Sequence, residues 1–95
     1  MNISFDEARS IALSKLEDIA ESSIQNLAIF DEYVIDTGDG WLFPYNTKEF
    51  INSRDDIDRV VGNGPLLVTY SGKIVEIPSS EDWKNWIKSN ESLLR

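Results

Sequence analysis

The 95-residue chain contains no cysteine and no histidine. Without cysteine there is no disulfide framework and no thiolate nucleophile, which suits a reducing cytoplasm. Without histidine the commonest general base is missing, and without either residue so are the usual zinc ligand sets. Basic residues are scarce too: nine Lys and Arg face seventeen Asp and Glu, a net charge of −8. Such a surface repels phosphate backbones and argues against nucleic acid as a partner. Long apolar runs are absent, so no segment is expected to span a bilayer, and residues 1–4 lack the basic and apolar regions of a secretory signal. A cytoplasmic chain is expected.

What is present bounds one small domain over 1–95, with 41% hydrophobic residues to fill a single core. Ser4-Phe5-Asp6-Glu7 is a capping box, in which Ser4 and Glu7 can satisfy each other's amides. Ala8, Ile11, Ala12, Leu16, Ile19 and Ala20 follow at helical spacing and predict a helix from Phe5 to about Glu21. Leu27 to about Thr37 predicts a strand with a bulge or bend at Asp31-Glu32, since a straight strand would point one acid to each face.

Thr37-Gly38-Asp39-Gly40 is a turn into a second strand, and the two should form a hairpin. Trp41, Phe43 and Tyr45 share one face of that strand, while Pro44 places it at an edge or a bulge. Residues 47–61 read as a short helix near Lys48–Ile51 and a charged loop. Gly62-Asn63-Gly64-Pro65 reads as a tight turn in which Gly62 and Gly64 can supply positive φ. Leu66–Tyr70 and Lys73–Ile77 predict two more strands around a Ser71-Gly72 turn. Pro78 stops the last strand. Ser79 or Ser80 is expected to cap a final helix anchored by Trp83, Trp86 and Ile87. The predicted class is α+β: an N-terminal helix, a four-stranded antiparallel sheet and a C-terminal helix, both helices on one face of the sheet.

Catalytic candidates are few. No serine lies in a nucleophile elbow, and Gly62-Asn63-Gly64 lacks the strand and helix of a phosphate loop. Asp55-Asp56-Ile57-Asp58 resembles a fragment of a calcium loop but lacks its central glycine and closing glutamate. Asp31, Glu32, Asp36 and Asp39 could supply a carboxylate pair for glycoside hydrolysis, but so small a domain has little room for a substrate cleft. No cofactor or metal is expected, and a binding module is favoured over an enzyme.

No Lys or Arg lies between Leu16 and Thr47, a segment that holds Glu17, Asp18, Glu21, Asp31, Glu32, Asp36 and Asp39. Such a stretch serves solubility, or steers a basic partner. Trp41 and Tyr45 either belong to the core, as alternation implies, or leave one ring exposed as an interface anchor. Asp31, Glu32, Asp36, Asp39, Trp41 and Tyr45 are thus the candidate partner-binding residues.

The stretch Gly40-Trp41-Leu42-Phe43-Pro44-Tyr45-Asn46-Thr47-Lys48-Glu49-Phe50 resembles the pattern of the immunity protein 35 family, also called the YrhB-like domain. Gly62-Asn63-Gly64-Pro65-Leu66-Leu67-Val68 is similar to that family's second hallmark and Ser71-Gly72-Lys73-Ile74 to its third. Pro44 departs from the pattern, standing where an aromatic or aliphatic residue is usual. Ser79-Ser80 replaces a Thr-containing turn. The resemblance implies a small α+β protein encoded beside a secreted bacterial toxin, which protects the producing cell by binding that toxin without catalysis. It leaves open an alternative, a stand-alone chaperone-like module.

Overall fold

The computed structural model describes residues 2–23, 26–55 and 64–94. Helix α1 spans Phe5–Ser23. The capping box forms as expected: the Glu7 amide donates to Ser4 Oγ and the Ser4 amide to Glu7 Oε1, each at 3.1 Å. Small Ala8 and Ala12 are fully buried, which lets the helix backbone sit close to the strands beneath it.

The expected first hairpin is broken in both arms at the same level. Its outgoing arm consists of β1 (Leu27–Ile29), a 3-10 turn (Asp31–Tyr33) and β2 (Ile35–Asp36). Its return arm consists of β3 (Gly40–Phe43) and β4 (Tyr45–Thr47). β2 pairs with β3 and β1 with β4, all antiparallel. Residues 30–34 intervene on the first arm, where only Phe43 and Pro44 separate the partners Leu42 and Tyr45. The surplus is taken up by the 3-10 turn, which lifts both Asp31 and Glu32 to the surface. Pro44, without an N–H, occupies the joint between the two sheets. Its carbonyl accepts from the Phe30 amide at 2.8 Å.

Helix α2 (Lys48–Ser53) follows directly, capped by Thr47, whose Oγ1 accepts from the Phe50 amide at 3.0 Å. β5 (Leu66–Thr69) and β6 (Ile74–Glu76) complete a four-stranded sheet of order β2-β3-β5-β6, beside the two-stranded β1-β4 sheet. Gly38 and Gly72 hold φ of +91° and +93° in their turns. Gly64 does not belong to this set. A Cβ there would lie 1.6 Å from the Ile77 carbonyl oxygen, so glycine is required by close approach rather than by positive φ. Gly62 and Asn63, part of the charged loop and most of the Asp55–Asp58 fragment lie outside the described residues.

Helix α3 (Trp83–Ser89) has Asp82 at its N-cap, so Ser79, Ser80 and Glu81 precede the helix instead of starting it. A 3-10 turn, Glu91–Leu94, follows. The α+β class is as expected, but the two helices cover opposite faces of the sheet. Register pairs Trp41 with Val68, Leu42 with Leu67 and Phe43 with Leu66. Phe43, Leu66 and Val68 pack with Ala8, Ala12 and Leu16 of α1. Leu42 and Leu67 pack with Ile77, Ile87 and Leu94, flanked by Trp83 and Trp86. The physical reason lies in β5, where Leu66-Leu67-Val68 and then Thr69 are all buried, on both faces: each face needs its own cover, and each helix supplies one.

Candidate functional site

The six candidate residues fall into two groups. Trp41 and Tyr45 are half-buried and pack against the α1 side of the core. The Trp41 ring sits edge-on between Phe5 and Tyr70, at centroid distances of 5.9 and 5.0 Å. These rings serve packing first, as the alternation implied.

The four acids stand on the surface along residues 31–39, the 3-10 turn, β2 and the turn into β3. Asp31 accepts a two-pronged contact from the Arg9 guanidinium, at 3.0 Å from Nε and 2.9 Å from Nη2. That contact raises the Arg9 pKa above its ordinary value, the hydrogen bond to Asp31 being the main cause. Glu32 pairs with Arg54, whose guanidinium also lies 4.5 Å above the Phe30 ring. The stretch without a basic residue therefore borrows two cations from the elements on either side of it.

Asp36 and Asp39 have no ion pair among the described residues. Asp36 accepts from the Tyr70 hydroxyl and, at 3.0 Å, from the Gly38 amide. The hydroxyl bond first and the amide second hold its carboxyl below the usual aspartate value. The same bond raises the Tyr70 phenol, because ionising it would place two anions together. The Asp39 carbonyl accepts from the Tyr70 amide at 3.1 Å. These contacts tie the hairpin tip to the end of β5.

Between the two acid pairs stand Tyr33 and Ile35, 54% and 42% exposed. The sequence reading placed them inside a strand. The 3-10 turn instead leaves Tyr33 against Phe30, ring centroids 4.7 Å apart, with its outer side in solvent. Ile35 lies in β2, an outer strand of the sheet. Register sets Ile35 opposite Leu42 on the α3 side of the sheet and Asp36 opposite Trp41 on the α1 side, so the exposed side chains of residues 33–36 project to both sides of the β2 edge. The sequence signal for this was Asp31-Glu32 abutting the apolar run Tyr33-Val34-Ile35.

Among the described residues no group of three or more carboxylates is placed to hold a metal ion. Among the same residues no helix is long and apolar enough to cross a membrane. The geometry thus presents a small α+β protein whose acids line an exposed edge. The model of the family described as Immunity protein 35 matches residues 6–89, nearly the whole chain. The chain belongs to that family. No curated protein and no solved structure matches it.

Proposed function

We propose that this chain is a non-catalytic immunity protein, a single domain over 1–95, that binds a cognate bacterial toxin in the cytoplasm of the producing cell. Family membership over 6–89 carries the reading. The surface of residues 31–39 supports it. Tyr33 and Ile35 project at the β2 edge and anchor the contact there, while Asp36, on the α1 side of that edge, and Asp39, at the hairpin tip, meet basic groups on the toxin. Asp31 and Glu32 keep their arginine partners and act as rigid hydrogen-bond acceptors more than as free charge. Trp41 and Tyr45 support the surface from beneath. Co-expression with the toxin encoded beside its gene tests the role: cells survive with the wild-type chain, and survival without it or death despite it contradicts the reading.

A further inference from the structure

Among the described residues β1 has a strand on one side only, β4. The Lys48 amide donates to the Asn26 carbonyl and the Phe30 amide to the Pro44 carbonyl, both at 2.8 Å. With Ala28 opposite Asn46, alternation makes 26, 28 and 30 the residues that bond to the β4 side. Leu27 and Ile29 therefore turn their N–H and C=O groups outward, while their side chains are buried under α1. Among the described residues no hydrogen bond reaches these outward groups.

A groove of about 410 Å³ runs along this edge, walled by the flank of α1 through Leu13, Glu17 and Ala20. The Arg9–Asp31 pair closes one end and Lys48 lies at the other. Helix wall beside open strand edge is the arrangement by which some domains take an extended peptide as an added strand.

We propose that this groove receives an extended segment of the toxin as a third strand beside β1. The outward donors and acceptors of Leu27 and Ile29, without a partner among the described residues, call for a polypeptide backbone. The apolar wall at Leu13 and Ala20 calls for small apolar side chains at alternate positions. Glu17, exposed and without an ion pair among the described residues, calls for a Lys or Arg on the segment as it passes. A second copy of this chain fits poorly, since each carries a net charge of −8. Asp31 borders both the groove and the 31–39 segment, so one partner can engage both.

This inference rests on toxin binding. Amide hydrogen exchange by NMR on the complex with the toxin domain tests it. The Leu27 and Ile29 amides should exchange fast in the free protein and slow by about tenfold or more when bound. Glu17→Lys should weaken association by about tenfold, where Glu81→Lys, the same charge change ahead of α3, should have a smaller effect. A complex that leaves both amides unprotected overturns the strand addition and leaves the immunity role standing. So does protection in the free protein through self-association. Failure to form any complex overturns both.

Discussion

At the scale of single residues, glycines and the Asp36–Tyr70 contact make sharp predictions. Gly64→Ala drives a methyl into the Ile77 carbonyl and should cost about 1–3 kcal/mol by urea unfolding. Gly38→Ala meets nothing within 4 Å, so its cost is confined to the positive φ and should be about 1 kcal/mol. A Gly64→Ala cost below that of Gly38→Ala would contradict the close-approach account. Tyr70→Phe removes the main cause of the low Asp36 pKa, so the Asp36 carboxyl should titrate at higher pH in NMR. The folded-state value lies below the unfolded one. The stabilisation is therefore present above the unfolded pKa and is lost as pH falls through the folded one. An unchanged Asp36 titration in the Phe variant would show that the hydroxyl is not its partner. Residue identity was legible in sequence where chemistry is local, as with the Ser4–Glu7 box. It was not legible for Gly64, whose requirement comes from the Ile77 carbonyl, thirteen residues later and just past the end of β6.

At the scale of elements, the split hairpin and the two-faced β5 decide the architecture. Helix α1 was legible because its cap and its apolar spacing agree. The interruption at Asp31-Glu32 was visible as conflict, but its resolution into a 3-10 turn depends on three extra residues that only the pairing register reveals. The placement of the C-terminal helix was illegible from periodicity, which shows that a helix has an apolar stripe but not which face of a sheet it meets. Leu66 and Leu67 are both fully buried, on opposite faces. Leu66→Ala and Leu67→Ala should each cost about 2–5 kcal/mol by chemical denaturation. A near-neutral Leu67→Ala would mean α3 does not cover that face. Thr47→Ala, which removes the α2 cap, should cost about 0.5–2 kcal/mol. The Arg9–Asp31 pair joins α1 to the 3-10 turn at the surface, and Arg9→Ala should cost no more than about 1 kcal/mol.

At the scale of the whole molecule, a net charge of −8 with two of the site acids already paired divides the electrostatic work. Long-range attraction should set the speed of encounter, so association with a basic toxin should slow as salt rises. The anchors Tyr33 and Ile35 should set how long the complex lasts, and composition alone could not reveal them because both are apolar residues that happen to stay outside. The most direct measurement is the affinity of the purified chain for the toxin domain encoded beside it, compared with Tyr33→Ala in the same assay. The account predicts a stable complex that silences the toxin, with dissociation faster by roughly tenfold or more in the variant. A toxin that stays active and unbound in the presence of the wild-type chain would contradict it.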